Sequence, residues 1–240
     1  MSITRKRYFI RLICRIIIFI ACLCLCFKPD FYNIIEGMNF FKQFHILHIL
    51  WFIWMIDIIL QIIPLKNKVA LGSQKLFANR FKGIKEKVNP QALKKYIKFT
   101  TAGAYKVMII WVLLIAIIGI LYYNNIINEI WIFMITVFFY VCDLICVLIW
   151  CPFRLIMKNK CCTTCRIFNW DHLMMFSPLI FIGGFFSLSL VIMSILAWLV
   201  WELCVLIYPE RFSEMTNESL RCSNCTDKLC TQYCQKLKKD

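Results

Sequence analysis

A chain of 240 residues that is 61% hydrophobic, with mean hydropathy +0.72, carries more apolar surface than a soluble domain can bury, since soluble domains are only about half apolar. The net charge of +15 would point to nucleic acid in a soluble protein. Here short cytoplasmic loops rich in Lys and Arg account for it, and no nucleic-acid partner is expected.

The expected fold is an all-α polytopic integral membrane protein of about five to six transmembrane helices. One transmembrane domain covers residues 1–210, with a basic cytoplasmic loop at 66–105, and a short Cys-rich cytoplasmic tail follows at 211–240. Apolar runs near the spanning length of about 20 residues carry this expectation.

The first run, residues 8–27, follows Arg5, Lys6 and Arg7, which places the N-terminus in the cytoplasm. Arg11 and Arg15 lie one turn apart and can snorkel back to that surface. A basic start before an apolar core also suits a signal peptide. Phe19-Ile20-Ala21-Cys22 faintly resembles a lipoprotein cleavage box. With no A-x-A site, the run reads as a retained span.

The second run is residues 45–65. His45 and His48, one turn apart, read as an interfacial helix end rather than a metal pair. Residues 66–98 then hold ten Lys/Arg and one acid, Glu86, the strongest topological signal in the chain. Phe77, Phe81, Ile84 and Val88 are spaced 4, 3 and 4 apart, which predicts a basic amphipathic helix lying on anionic inner-leaflet lipid. Asn89-Pro90 reads as an N-cap followed by Pro at the first helical position.

The third run is residues 106–123, followed by an outer turn, Asn-Asn-Ile-Ile-Asn-Glu. The fourth is residues 131–150, ending at Cys151-Pro152 and Arg154. The last, residues 173–208, is 36 residues long, or about 54 Å if helical throughout. That exceeds a hydrocarbon core of about 30 Å. Ser177-Pro178 and Gly183-Gly184 are candidate breaks, so the run is one long span or a hairpin. Runs two, four and last each end in an acid, an apolar stretch and Pro, and the tail ends Lys-Leu-Lys-Lys-Asp. Six crossings, the penultimate one short or re-entrant, follow from this pattern. Both termini are then cytoplasmic, and the location is the cell membrane.

That topology puts Cys151, Cys161, Cys162, Cys165, Cys222, Cys225, Cys230 and Cys234 on the cytoplasmic face, where thiols stay reduced. Such clusters suit metal better than disulfides. The tail spacing is C-x2-C-x4-C-x3-C, and four thiolates can close around one tetrahedral ion. It resembles a zinc knuckle with Cys for His and one residue fewer at the end, over 13 residues. It resembles iron–sulfur cysteine runs less closely. The implied cofactor is zinc or an iron–sulfur cluster. Asp171 or His172 could add a ligand to the Cys161, Cys162 and Cys165 run. Cys14, Cys22, Cys24, Cys26, Cys142, Cys146 and Cys204 read as small apolar groups in spans.

Asp57, Asp143 and Glu202 interrupt apolar runs, where a charge costs about 2.5–3.5 kcal/mol, so each is a functional candidate. The alternative for each is a packing role with Arg11, Arg15 or Arg154 as partner, favoured for Glu202 near the interface. The tryptophans suit span ends and packing. No P-loop, dinucleotide fingerprint, nucleophile elbow or HExxH supports an enzyme. Three functions remain. One is a metalloprotein serving structure, sensing or electron transfer. Another is a small cation or soft-metal transporter or channel using the intramembrane acids. The third is a scaffold without chemistry.

Overall fold

The computed structural model describes residues 3–26, 29–42, 44–64, 74, 76–84, 89–158 and 165–225. Among them every regular element is helical, apart from one isolated antiparallel bridge between Gly83 and Asn217. Four helices are long and apolar enough to cross a membrane: α1 (Ile3–Leu25), α3 (Pro90–Tyr123), α4 (Glu129–Leu148) and α7 (Phe185–Ile207). The shorter α2 (Ile46–Ile62) has 17 residues and spans about 25 Å. These helices suit a membrane, because in lipid a helix satisfies every backbone group internally. Rows of large apolar side chains point outward, including Ile13, Ile17, Ile109, Leu113 and Ile120.

Local sequence sets the helix ends. Asn89 caps α3 by accepting from Gln91 N at 2.9 Å, and Pro90 occupies the first turn. Asn128 caps α4 by accepting from Trp131 N at 3.2 Å. At α2, His45 and His48 cap each other's turn: His45 N donates to His48 Nδ1 at 2.9 Å, and Leu47 N donates to His45 Nδ1 at 3.5 Å. The expected interfacial helix end is thus closed by a pair of imidazoles.

Of the four long helices, α4 buries the largest share of its apolar window, and α1 packs along it. Trp54 of α2 is fully buried, its ring 5.2–6.3 Å from those of Phe133, Tyr140, Phe176 and Phe186. These are tilted and edge-on approaches, the arrangements aromatic quadrupoles favour, each contributing about 0.5–1.5 kcal/mol beyond area burial. Trp54, Trp170 and Trp201 are buried in the packing, whereas Trp131 and Trp150 are exposed near the two ends of α4.

The 36-residue apolar run divides where Pro and Gly predict. Helix α6 (Asp171–Phe176) passes into a 3-10 turn (Ser177–Phe181) with Pro178 in its first turn. Gly183 then has φ +72°, a left-handed conformation that favours glycine. Gly184 starts α7, and a Cβ there would collide with the Ile35 carbonyl oxygen and lie 2.8 Å from Gly37 N. Backbone meets backbone at this point, and Phe185 N donates to Gly37 O at 3.0 Å. The other end of α7 lies against the basic loop and the tail, where Trp201 contacts Phe77 and Phe212.

The amphipathic helix expected around Phe77, Phe81 and Ile84 does not form in the described part of that loop. A short 3-10 turn (Ala78–Arg80) is present instead, and Phe81 is extended. Tertiary pairing outweighs the 3.6-residue pattern here. Leu76 buries against Trp201 and Leu220. Glu218 N donates to Lys82 O at 2.8 Å, Ile84 N to Thr216 O at 3.3 Å, and Ser219 Oγ to Arg80 O at 2.9 Å. Val88 lies outside the described residues. Regular helix starts instead at Pro90, so α3 carries Lys94, Lys95 and Lys98 ahead of the expected span at residue 106.

A candidate charged cavity between α1, α2, α4 and α6

Arg15 is buried on α1 and faces Asp143 on α4. Its Nη1 donates to Asp143 Oδ2 at 2.7 Å and to Tyr140 O at 2.6 Å. The guanidinium also lies 3.8 Å from the centre of the Tyr140 ring, close enough for a cation–π contact worth about 2 kcal/mol when desolvated. Three contacts to one helix hold the Arg15 side chain in place.

A second polar group sits at the start of α6. Asp171 Oδ1 accepts from Gln61 Nε2 of α2 at 2.7 Å, from His172 N at 2.8 Å and from His172 Nδ1 at 3.0 Å. Bonding Nδ1–H to the carboxylate fixes the imidazole tautomer and leaves Nε2 as the available acceptor. His172 is buried, and among the described residues Nε2 finds no hydrogen-bond partner; neither does the buried Oε1 of Gln61.

These groups line one cavity of about 60 Å³ together with Asp57, with Tyr8 and Arg11 also on its wall. Asp57 is half-buried, and no hydrogen bond or ion pair joins its carboxylate to another described residue. It is near enough to act electrostatically on Arg15 and His172. Buried polar atoms without partners cost about 1–3 kcal/mol each, so a site with several of them suits an occupant that supplies hydrogen bonds. At about 10–15 Å³ per water, the cavity has room for a few waters or a small hydrated cation.

Of the sequence candidates, Asp57 and Asp143 therefore meet, together with Arg15. Glu202 is elsewhere. Its Oε2 accepts from Arg166 Nη2 at 2.6 Å and its Oε1 from Trp170 Nε1 at 2.8 Å, while Arg166 Nη1 donates to Thr101 Oγ1 at 3.0 Å. Its partner is thus Arg166 rather than Arg11, Arg15 or Arg154. Gln61 and the Asp171–His172 pair were not in the intramembrane set. Their signal was an Asp-His doublet directly before the last apolar run and a glutamine among aliphatic residues.

Of the eight candidate metal ligands, Cys161, Cys162, Cys230 and Cys234 lie outside the described residues. Cys222 and Cys225 sit on one 3-10 turn, closed by Cys225 N to Cys222 O at 3.2 Å. Cys151 follows α4, and its sulfur accepts from the Cys146 thiol and from the N–H groups of Phe153 and Arg154. That donation lowers the Cys151 thiol pKa below its ordinary value despite partial burial. Cys165 precedes α6. None of the described cysteines forms a disulfide. Among the described residues no three His, Cys, Asp or Glu side chains converge as a metal group.

Comparison with protein-family models, with curated proteins and with solved structures finds no match to this chain.

Proposed function

We propose that this protein is a small multi-pass membrane transporter or channel that passes protons or small cations through the charged cavity. The observation that carries the reading is Asp57, a carboxylate that no hydrogen bond joins to another described residue. It faces the cavity where Arg15–Asp143 and Asp171–His172 meet, beside His172 Nε2 and Gln61 Oε1, which have no partner among the described residues. Inside a bilayer such groups mark ion and proton paths. His172 can exchange a proton at Nε2 while Asp171 holds its other nitrogen.

The topology that goes with this reading has six crossings: α1, α2, α3, α4, the broken α6 segment, and α7. From residue 171 to 181 the broken segment has six α-helical and five 3-10 residues, about 19 Å of rise. Support comes from its two ends. Asp171 bonds Gln61 near the last turn of α2, whereas Phe181 lies 6.4 Å from Tyr122 at the last turn of α3. Both termini are then cytoplasmic, with the basic loop facing anionic inner-leaflet lipid.

The test is ion flux into proteoliposomes holding the purified full chain, followed with a pH-sensitive dye and with cation indicators. Wild type should carry a current that Asp57→Asn abolishes. Flux in wild type equal to that of empty vesicles would overturn the reading.

A second reading keeps zinc or an iron–sulfur cluster in the cysteine tail. It is favoured by the single turn that presents Cys222 and Cys225 together, as a two-sulfur knuckle requires. Elemental analysis of anaerobically purified protein tests it: stoichiometric zinc or iron, lost in Cys222→Ser with Cys225→Ser, is the expected result.

A further inference from the structure

A second cavity, of about 240 Å³, adjoins the charged one and shares Asp143 and Asp171 as wall residues. Its remaining walls come from α3, α4, α5 (Phe153–Met157) and α6. Six of its fifteen lining residues carry sulfur: Cys142, Cys146, Cys151, Cys165, Met174 and Met175. The chain has 15 cysteines and 10 methionines in 240 residues, about one residue in ten. Fifteen lining residues drawn at that frequency would include one or two. Sulfur is therefore concentrated here severalfold.

The arrangement is also specific. Cys142 and Cys146 are four apart on α4, so they share a face. Cys146 is within hydrogen-bonding reach of Cys151, which gives a ready-made dithiol. Cys165, Met174 and Met175 line the same cavity. Aromatic rings from Trp111, Phe139 and Phe153 fill much of the rest.

We propose that this cavity binds a soft monovalent metal ion of the copper(I) class, held by the thiolates of Cys146 and Cys151, with methionine thioether sulfurs as further donors. Thiolate and thioether donors select such an ion over harder cations. Structural zinc, by contrast, takes four ligands in a tetrahedron, and among the described residues no three His, Cys, Asp or Glu side chains converge. Two thiolates completed by thioethers suit an ion content with low coordination. The thioether sulfurs belong to methionine, a residue outside that ligand set. On binding, two S–H bonds break and two S–Cu bonds form, and two protons leave to solvent. Copper remains copper(I), and no electron is transferred. The proposal does not depend on ion flux through the charged cavity.

The test uses the purified full chain, reduced and kept anaerobic, titrated with copper(I) against a chromophoric copper(I) chelator. Wild type should take one ion from the chelator and keep it against excess zinc. Cys146→Ser with Cys151→Ser should weaken uptake by more than about 100-fold, since loss of even outer-shell partners costs roughly 10–100-fold. Cys14→Ser with Cys24→Ser, two exposed positions on α1, should leave this uptake unchanged. Because the first pair lies in the helix packing, a second measurement uses wild type alone. Copper(I) should protect Cys146 and Cys151 from alkylation, read by mass spectrometry of peptides, while the exposed Cys14 and Cys24 react alike with and without copper. Alkylation of Cys146 and Cys151 at the same rate with and without bound copper, or full uptake by the first double variant, would overturn the proposal.

Discussion

Among the described residues two arginine–carboxylate pairs bridge the helices, and they are not equivalent. Arg166–Glu202 ties the segment before α6 to α7, and both carboxylate oxygens are occupied, by Arg166 and by Trp170. Arg15–Asp143 ties α1 to α4, but it borders a charged cavity where Asp57 has no hydrogen-bond partner among the described residues. The bond lengths are nearly the same, 2.6 and 2.7 Å. The surroundings differ, and they decide what each pair does. A carboxylate with both oxygens bound and rings around it is a structural fastening. A pair beside an open polar volume retains charge that a mobile ion or proton can meet.

The largest expected effect sharpens this contrast. Removing one member of a closed buried pair leaves an uncompensated charge, at a cost of about 3–5 kcal/mol. Arg166→Met should therefore lower the unfolding midpoint in detergent strongly. Glu202→Leu added to it should restore most of the loss, because the stranded carboxylate is gone. A double variant as unstable as the single one would show that packing, not charge, holds this junction.

Arg15→Met makes the same chemical break at the other pair and should cost less, about 1–3 kcal/mol. The stranded Asp143 borders the cavity and can be rehydrated there. Equal destabilisation by Arg15→Met and Arg166→Met, in matched unfolding experiments, would erase the distinction between the two pairs.

Asp57→Asn should be nearly silent for stability, within about 0.5 kcal/mol, since no bond to another described residue is lost. Together with loss of flux, that result would separate function from folding at one residue. A large drop in the unfolding midpoint would instead make Asp57 a packing residue.

What the sequence made legible follows from the range of the interactions involved. Apolar length marked the long apolar helices, and Pro178, Gly183 and Gly184 marked the breaks in the long run, because these are local effects of backbone chemistry. The Asn89 and Asn128 caps are local in the same way. Pairings between distant segments were harder. The partner of Asp143 lay among the arginines considered, but that of Glu202 did not, since Arg166 is 36 positions away and belongs to a cysteine-rich loop. The amphipathic spacing of Phe77, Phe81 and Ile84 pointed to a helix because it is periodic. The loop pairs with residues 216–219 instead, and one-dimensional spacing carries no record of that contact. Cys142 and Cys146 passed for inert span residues because Cys151 and the methionines opposite become their neighbours only after folding.

The smallest expected effect concerns the cap of α2. His45 Nδ1 accepts from Leu47 N at 3.5 Å and His48 Nδ1 accepts from His45 N at 2.9 Å; both need neutral rings. Burial, and then the nearby His48, lower the His45 pKa below its ordinary 6.5. The folded state therefore holds fewer protons here than the unfolded state, and stability rises with pH over this window. The contribution is complete above about pH 6.5, and it fades as pH falls through that value towards the folded one. A helix cap contributes about 1 kcal/mol, and solvent at the half-exposed ring reduces what the charge can do. The comparison is wild type against His45→Asn, whose amide caps without titrating. The difference in unfolding midpoint should shift against wild type between pH 7.5 and pH 5.5, by a degree or so. A difference that stays constant across that range would mean that the α2 cap does not sense protons, and that the charged pairs carry all of the pH dependence in this bundle.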